Sequence, residues 1–386
     1  MRGWLPSKPI HTLVSMTVLD HSFQCRRSWL ELLCITYSVT TRNRYYLFFP
    51  PSNHLSNMPS SSIAAKSTPL PPGVYTPVVT IYKTGDPEQP VDHDAMYKQC
   101  QALVKAGMHG LVYSGTNGEL CLLTPDERKA MVETAVRAVR DLGKPDYPIV
   151  AGISAQSTRE AILNARDAAS AGARFALLLP PSYWPKALSG DATSGFFRDV
   201  ADRSPIPVVV YNFPAVTSGV DLDSDQLAAL ASHPNIVAVK LTCGNVGKVA
   251  RLASRFTPEQ FGVFGGSSDY LLPTLAAGGS GCVTGMGNVF PASTSALYDL
   301  SKAGRAEEAW KLQYAVANAE WACKKGIALT KFGAWHYLGR EIGVADESSW
   351  EMRRPYLPLG DAVKKWALET FAALEATEKQ RPWESS

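Results

Sequence analysis

The sequence of 386 residues lacks a strong excess of charge of either sign, and it lacks any long apolar run. Its 38 Lys and Arg residues nearly balance its 35 Asp and Glu residues, which leaves a formal net charge of +3. This balance offers no electrostatic basis for binding nucleic acid or an anionic membrane. No apolar stretch approaches the roughly 18 residues that a transmembrane helix requires. A hydrophobic content of 45% with 19% charged residues is typical of a globular protein and argues against a chain disordered throughout.

Patterns of cysteine, histidine and glycine that are typical of metal or cofactor sites are also missing. The seven cysteines are scattered and form no CxxC pair, so the sequence shows no disulfide framework. This pattern favours a protein of a reducing compartment. The seven histidines lack the spacing of metal ligands, and residues 92–94 (Asp-His-Asp) are more simply interpreted as a helix cap. No GxSxG, Walker or GxGxxG motif is present. The sequence therefore predicts no metal ion and no organic cofactor.

The first 72 residues differ in composition from the rest of the chain. Residues 1–57 are rich in aromatic residues and arginine and contain only two acids, Asp20 and Glu31. A segment rich in Ser and Pro then begins at Met58. Three interpretations remain open: a basic leader for mitochondria, a secretory segment whose apolar run Glu31 interrupts, or a disordered extension upstream of a functional chain that begins near Met58. We assign residues 1–72 to an extension or leader, and the protein to the cytoplasm or the mitochondrial matrix.

From Gly73 onward, short apolar runs alternate with longer helical patterns. Eight runs have the length and the β-branched or aromatic content of buried parallel strands: Val74–Ile81, Gly110–Tyr113, Pro148–Ile153, Phe175–Leu179, Pro207–Tyr211, Ile236–Lys240, Phe261–Phe264 and Gly281–Thr284. Eight βα units in about 230 residues predict a closed (β/α)8 barrel over residues 73–305. A doubly wound sheet is the alternative, but its usual glycine-rich turn after the first strand is missing.

Capping signals mark the start of several intervening helices. The segment Thr124–Glu127 combines an N-cap, a proline at the first helical position and a capping-box acid. Ser157 and Glu160 repeat the capping-box pattern, and a third start signal lies at residues 223–224. Beyond the predicted barrel only helical patterns occur: Ala306–Lys324, Gly326–Leu338 and Ala362–Leu374. Residues 306–386 are therefore predicted to form a C-terminal helical appendage.

Two polar side chains are expected at the mouth of the barrel, where the active sites of this fold lie. Lys240 ends the sixth predicted strand, and alternation puts it on one face with Ala238 and Ile236. An amine withdrawn from water loses its proton more readily, and a neutral amine attacks ketones and aldehydes. Tyr211 ends the fifth strand and would face the same mouth, where a phenol can transfer protons. Taken singly, each could instead be a strand-end residue that packs under a turn or reaches solvent.

Loops after other strands supply further hydrogen-bonding groups at the same face. The turn Gly115–Glu119 places two glycines around Thr116 and Asn117, and its backbone N–H groups could converge on a carboxylate. A plain connecting turn is the alternative. Residues 180–184 add the hydroxyl of Tyr183.

The last two predicted strands are each followed by a glycine-rich loop. Residues 265–268 read Gly-Gly-Ser-Ser, and residues 285–288 read Gly-Met-Gly-Asn. Comparable loops in barrels often bind phosphate, but no Lys or Arg lies nearby in the sequence. Close approach of the backbone to a small ligand is therefore the favoured interpretation.

Together these segments resemble the Schiff-base aldolases related to dihydrodipicolinate synthase and N-acetylneuraminate lyase. The resemblance spans about residues 73–338. It rests on GVYTPVVT at 73–80, GTNGE at 115–119, YNFPAVTSG at 211–219, NIVAVK at 235–240 and the glycine-rich stretch at 265–288. It implies a TIM barrel, commonly a homotetramer arranged as a dimer of dimers, that binds a 2-oxo acid such as pyruvate.

The resemblance also implies roles for individual residues. Lys240 matches the Schiff-base lysine of the family, and Tyr211 matches its proton-transfer tyrosine. Thr116 lies in the hydroxyl relay, and Tyr183 matches a relay tyrosine that is usually contributed across a dimer interface. The residues assigned to substrate binding are Thr116, Asn117, Gly266 and Val283.

One position departs from the family pattern. Dihydrodipicolinate synthases usually carry an arginine two residues after the proline of the tyrosine motif, where it binds the distal carboxylate of the aldehyde substrate. This sequence has Val216 there. Loss of such a charge-assisted pair is expected to weaken binding of that substrate by about 1.5–3 kcal/mol, which is roughly ten- to a hundredfold in affinity.

The overall pattern, including GTNGE, is more similar to that of 4-hydroxy-2-oxoglutarate aldolases. This resemblance implies a class I aldolase that cleaves a 4-hydroxy-2-oxo acid, such as 4-hydroxy-2-oxoglutarate, to pyruvate and an aldehyde. Two other enzymes remain open: a synthase that condenses pyruvate with aspartate semialdehyde, and an aldolase for 2-keto-3-deoxy sugar acids. A non-catalytic scaffold that binds a 2-oxo acid is the alternative from a different class.

Overall fold

The computed structural model describes residues 67–381, and within this range eight parallel strands close into a barrel in sequence order. The strands are β1 (Gly73–Pro77), β2 (Gly110–Tyr113), β3 (Ile149–Gly152), β4 (Phe175–Leu178), β5 (Val208–Asn212), β6 (Ile236–Leu241), β7 (Gly262–Gly265) and β8 (Gly281–Val283). The barrel closes where β8 pairs with β1, and a Cβ on Gly281 would lie 1.9 Å from the carbonyl oxygen of Gly73. The prediction of a (β/α)8 barrel is confirmed.

Helices alternate with the strands and then continue beyond the barrel. They are α1 (His93–Lys105), α2 (Pro125–Asp141), α3 (Thr158–Ser170), α4 (Gly190–Arg203), α5 (Ser224–Ala231), α6 (Val246–Ala253), α7 (Leu271–Ala276), α8 (Pro291–Lys302), α9 (Ala306–Cys323), α10 (Ile327–Ala334) and α11 (Asp361–Gln380). Among the described residues, no helix is both long enough and apolar enough to cross a membrane.

The predicted caps begin these helices with one difference. Thr124 and Glu127 form a complete capping box at α2, as their spacing indicated. Ser157 accepts from the backbone N–H of Glu160, but the reciprocal bond is absent, so α3 has only half of a box. Asp223 is the N-cap of α5. Asp92 caps α1 by accepting two backbone N–H bonds, which agrees with the interpretation of residues 92–94 as a cap.

The barrel interior corrects one prediction about the sixth strand. Val208 pairs with Ile236 but Val209 pairs with Ala238, so Val237 is an extra residue in β6. Such a bulge interrupts the alternation of side chains. Val237 and Ala238 therefore pack inside the barrel, whereas Ile236 packs in the layer between strands and helices. The expectation that Ile236 shares the face of Lys240 is wrong, because simple alternation does not hold through a bulge.

The lower end of the barrel is filled by residues that precede β1. Leu70 is buried with the inward-facing side chains, among them Tyr75 and Phe264. The hydroxyl of Ser67 donates to Asn235 Oδ1 at 2.8 Å, and the Tyr75 hydroxyl donates to the carbonyl of Pro71 at 2.7 Å. The segment from Ser67 thus packs on the barrel, and the boundary predicted at residue 72 falls too late. The rest of the predicted extension, residues 1–66, lies outside the described residues.

The C-terminal helices pack onto the barrel. Phe371 and Leu374 of α11 belong to the same buried cluster as Leu312 of α9 and the outer side chains of the barrel. The carboxylate of Glu378 accepts from the backbone N–H groups of Ala292 and Ser293 at the start of α8. These contacts join α9–α11 to the barrel in one compact unit.

Two predicted ends in this region differ from the structure. The helix expected up to Leu338 is α-helical only to Ala334 and continues as a π-helical turn to Gly339. The last helix was expected to end at Leu374 but extends to Gln380.

Candidate active site

Lys240 and Tyr211 lie side by side at the C-terminal edge of the barrel. They are directly paired residues of the neighbouring strands β6 and β5. The Lys240 side chain is only 4% exposed, and its Nζ lies 4.1 Å from the centroid of the Tyr211 ring. Phe213 stacks on the Tyr211 ring at 5.7 Å between centroids and helps to hold it. The parallel register of the two strands therefore brings together the amine and the phenol that the sequence placed at strand ends.

The Lys240 ammonium has an uncommon environment for a buried lysine. No carboxylate, carbonyl or hydroxyl of the described residues is within hydrogen-bond distance of its Nζ. The other buried lysines are paired: Lys331 with Glu119 at 2.5 Å, and Lys248 with Asp221 at 2.6 Å. A buried amine of this kind has lost hydration and has gained neither an ion pair nor a hydrogen bond within residues 67–381.

These two residues open into a cavity of about 830 Å³. Residues from five different βα loops and from the C-terminal helices line it. Among them are the predicted binding residues Thr116, Asn117, Gly266 and Val283. A volume of this size accommodates a small molecule of several carbon atoms.

The β2–α2 loop brings Thr116 to the phenol. Thr116 Oγ1 lies 3.4 Å from the Tyr211 hydroxyl, which is a long hydrogen bond. The backbone N–H groups of Thr116 and Asn117 have no partner within residues 67–381. Ser114 and Glu119, which flank the turn, both have positive φ, at 52° and 58°. This turn therefore has two free backbone donors on residues that line the cavity.

Gly266, which follows β7, and Val283, on β8, line the same cavity. The Gly266 N–H donates to the Tyr270 hydroxyl at 2.7 Å, so any contact with substrate would have to come from its carbonyl. A Cβ at Gly266 would lie 2.2 Å from Thr242 Oγ1, which explains the need for glycine there. Val283 is one of the inward-facing side chains of the barrel and forms part of the cavity wall.

Tyr183 is not brought to this cavity within a single chain. Its side chain is 74% exposed and stacks edge-on against Trp184, with 5.0 Å between centroids. The loop is tied down below it: the Tyr183 N–H donates to Gln156 Oε1, and the Ser218 hydroxyl donates to the carbonyl of Ser182. A catalytic role for Tyr183 thus requires a second copy of the chain, and it stays a prediction.

Sequence reasoning assigned no role to several polar residues of this cavity, among them Thr242, Glu320 and Lys324. Thr242 has a buried Oγ1 without a partner, and its position two residues after Lys240 was a signal that could have found it. Glu320 and Lys324 come from the end of α9, about eighty residues further along the chain. No local pattern connects them with the barrel mouth.

Glu320 and Lys324 have different electrostatic environments. Burial raises the pKa of Glu320, and the nearby Asp269 raises it further. The Glu320 carboxylate accepts from the hydroxyls of Ser268 at 2.6 Å and Thr284 at 2.7 Å. Lys324 pairs with Asp269 at the rim. The mouth therefore holds a solvated cation besides the buried amine.

Metal-ligand and disulfide chemistry have no obvious place in this region. Within residues 67–381, no group of three or more His, Cys, Asp or Glu side chains could hold a metal ion. The five cysteines in that range, Cys100, Cys121, Cys243, Cys282 and Cys323, are all free thiols.

The chain is similar in sequence to a known protein family and to several named proteins. The profile described as the "Dihydrodipicolinate synthetase family" matches residues 71–370. The chain is 43% identical over 272 residues to a protein of Emericella nidulans named "Probable 4-hydroxy-2-oxoglutarate aldolase, mitochondrial", covering 70% of this chain and 87% of that one. It is 38% identical over 297 residues to an L-threo-3-deoxy-hexylosonate aldolase of Aspergillus niger, covering 70% and 88%.

A solved structure agrees with the fold. The crystal structure of a dihydrodipicolinate synthase family protein from Coccidioides immitis superimposes with a TM-score of 0.75 at 40% sequence identity. It covers 82% of this chain and 99% of that chain.

Proposed function

The chain belongs to the dihydrodipicolinate synthetase family, and we propose that it is a class I aldolase that cleaves a 4-hydroxy-2-oxo acid to pyruvate and an aldehyde. With 4-hydroxy-2-oxoglutarate as substrate, the aldehyde is glyoxylate. The observation that carries this proposal is the buried Lys240 amine, which lies over the Tyr211 ring in a cavity without an ion-pair partner.

The first stage forms the Schiff base. The substrate's 1-carboxylate binds the free N–H groups of Thr116 and Asn117, which directs its C2 carbonyl toward Lys240. The Lys240 nitrogen adds to C2, and the carbonyl oxygen takes one proton from that nitrogen and one from the Tyr211 hydroxyl and leaves as water. A protonated imine and a Tyr211 phenolate remain. Tyr211 and Thr116, 3.4 Å apart, carry the protons for this step.

The second stage breaks the carbon–carbon bond. Tyr211 accepts the proton of the C4 hydroxyl, a C4 carbonyl forms, and the C3–C4 electron pair moves into the imine to give an enamine. The aldehyde departs. Protonation at C3 and addition of water to the imine then release pyruvate and return Lys240 to its free amine. Every electron pair stays within substrate and lysine, so the cycle needs no external oxidant.

Trapping of the imine tests the proposal. The protein is incubated with pyruvate and sodium borohydride, digested, and analysed by mass spectrometry. A reduced pyruvate adduct on the peptide that carries Lys240 is expected, and the Lys248→Met variant serves as a control because it removes a buried lysine outside the cavity. Absence of an adduct on the folded protein would support the 2-oxo acid-binding scaffold instead.

A second candidate substrate is favoured by a specific relative. The Aspergillus niger protein is named as an aldolase for a 3-deoxy sugar acid, which shares the 2-oxo acid end but has a polyol tail. Val216 lines the cavity and carries no charge, so it is compatible with binding of an uncharged polyol tail. Measurement of aldehyde release from both substrate classes separates the two candidates. The synthase reaction is less favoured, since Val216 lacks the donors of an arginine.

We also propose that the protein works as a homotetramer, built as a dimer of dimers. Exposed Tyr183 and Trp184 at the barrel mouth support an interface there, because a pair of large aromatic side chains in solvent is unfavourable. Tyr183 from one copy would then complete the relay of its neighbour. Light scattering measures the size of the assembly. The Tyr183→Phe variant should have a lower kcat but the same assembly size as the wild type.

The compartment is proposed to be the mitochondrial matrix. The Emericella nidulans relative is named as mitochondrial, and residues 1–57 are basic and poor in acids. Sequencing of the N-terminus of the native protein tests this, since removal of a leader is expected after import.

A further inference from the structure

The far end of the proposed substrate poses a problem that the family pattern does not solve. This inference rests on the proposed aldolase function. 4-Hydroxy-2-oxoglutarate ends in a second carboxylate, and that charge needs a partner once it enters the cavity. Val216 stands where dihydrodipicolinate synthases usually carry an arginine, and it cannot supply one.

Among the described residues, the cavity around Lys240 has one other cation, Lys324. Lys240 itself is consumed in the Schiff base, so its charge is committed to C2. Lys324 follows the last turn of α9 and is 38% exposed, so it can reach a ligand at the cavity rim. Its Nζ lies 5.7 Å from the centroid of Tyr270, whose hydroxyl joins Gly266 to the carbonyl of Leu241.

Asp269 holds the Lys324 ammonium at this position. The two groups form an ion pair, and Asp269 is itself fixed by a 2.7 Å bond from the Ser267 hydroxyl. An ammonium has three N–H donors, so Lys324 can keep Asp269 and still bind a substrate carboxylate. The ion pair thus orients the Lys324 ammonium and leaves N–H donors available for a substrate carboxylate.

Glu320 is the one acid that lines the cavity within the described part of the chain, and it does not oppose this arrangement strongly. It is only 2% exposed, and each of its oxygens accepts a hydroxyl, from Ser268 and from Thr284. Its charge is therefore compensated by the two hydroxyl dipoles that donate to it.

We propose that Lys324 binds the distal carboxylate of the substrate, which makes the preferred substrates 4-hydroxy-2-oxo dicarboxylates. The specificity of this chain for the far end of the substrate then comes from a C-terminal helix and not from the tyrosine-motif loop. A 2-keto-3-deoxy sugar acid binds the same lysine and turn but gains nothing from Lys324.

The test compares two substrates in matched variants. Steady-state kinetics are measured with 4-hydroxy-2-oxoglutarate and with a 2-keto-3-deoxy sugar acid that ends in a hydroxymethyl group. Lys324→Met should raise KM for the dicarboxylate about ten- to a hundredfold and change KM for the sugar acid less than about threefold. Lys324→Arg should retain most of the preference, because it keeps the charge.

The neighbouring lysine provides the control. Lys325 lies over the Trp321 ring at 3.9 Å and does not line the cavity, so Lys325→Met removes the same charge one residue away. Equal changes for both substrates in Lys324→Met, or an equal loss in Lys325→Met, would overturn the proposal. A selective loss in Arg128→Met would also overturn it, since Arg128 lines the adjacent cavity that shares Thr116 and Tyr211.

Failure of this inference can be told apart from failure of the proposed function. If Lys240 forms the borohydride adduct and cleaves both substrates without selectivity, the aldolase stands and the Lys324 subsite falls. If no adduct forms, the aldolase itself falls.

Discussion

Two buried lysines within residues 67–381 lie over tyrosine rings, yet their surroundings are opposite. Lys240 Nζ is 4.1 Å from the Tyr211 centroid, and Lys331 Nζ is 4.5 Å from the Tyr82 centroid. Lys331 also binds Glu119 at 2.5 Å and donates to the carbonyl of Glu351 at 2.8 Å. Lys240 has neither kind of partner within the described residues.

The difference is the one expected between a structural lysine and the lysine that we propose to be reactive. The Lys331 cluster joins α10 and the segment around Arg353 to the β2–α2 loop, because Glu119 accepts from Lys331 and from the Arg353 N–H, and Arg353 pairs with Glu127. Burial lowers the pKa of Lys331 to about 8, although Glu119 opposes that shift. Lys240 faces a cavity, so its partner is to be supplied by substrate. Pairing within the protein, and not burial alone, distinguishes the two roles.

The largest effect is expected from replacing Lys240, the lysine that we propose to be reactive. Lys240→Met should lower the rate of aldehyde release by at least about 10⁴-fold, because the nucleophile is lost. The free energy of unfolding should stay within about 1 kcal/mol or rise, since a buried unpaired amine is removed. Activity assays and chemical denaturation check both. A strongly destabilised variant would make Lys240 a structural residue like Lys331.

The structural side is tested by Lys331→Met. Removing one partner leaves Glu119 buried with an uncompensated charge, so the free energy of unfolding should fall by about 3–5 kcal/mol. Adding Glu119→Gln should recover part of that loss, which denaturant melts of both variants would measure. Lys248→Met is the matched comparison, and its loss should be smaller because its partner Asp221 is 48% exposed. Equal losses at Lys331 and Lys248 would contradict this view of the cluster.

Replacing the phenol under the reactive lysine sharpens the comparison. Tyr211→Phe keeps the ring beneath Lys240 but removes the hydroxyl that contacts Thr116. We expect kcat to fall about 10²- to 10⁴-fold while the free energy of unfolding changes by less than about 1 kcal/mol. The matched change at the other lysine, Tyr82→Phe, should leave kcat near the wild-type value. A Tyr211→Phe enzyme with full kcat would remove the phenol from the mechanism.

The smallest effect concerns a charge added beside the reactive site. Val216 is 40% exposed and lines the cavity, so Val216→Arg should be tolerated without loss of stability. It should raise the rate of condensation of pyruvate with aspartate semialdehyde about tenfold, because the distal carboxylate gains a bidentate donor on the tyrosine-motif loop. Coupled assays of that reaction provide the measurement. If the wild type condenses aspartate semialdehyde as fast as it cleaves 4-hydroxy-2-oxoglutarate, the preference for an aldolase is wrong.

Much of this organisation could be predicted from local patterns. The eight strand positions follow from short apolar runs, and the starts of α2 and α5 follow from capping residues. The proximity of Lys240 and Tyr211 follows from their places at the ends of consecutive strands, because parallel neighbours in a barrel bring equivalent ends together. These features depend on residues close to one another in sequence.

What only the tertiary structure decided involves partners far apart along the chain or breaks in a regular pattern. Val237 displaces the alternation of β6, Leu70 fills the base of the barrel, and Lys324 reaches the cavity from α9. Glu119 and Lys331 are 212 residues apart, and nothing near either one indicates that they pair. Sequence specified which amine could react. The fold decided which amine was left without a partner, because pairing depends on how distant segments pack in three dimensions.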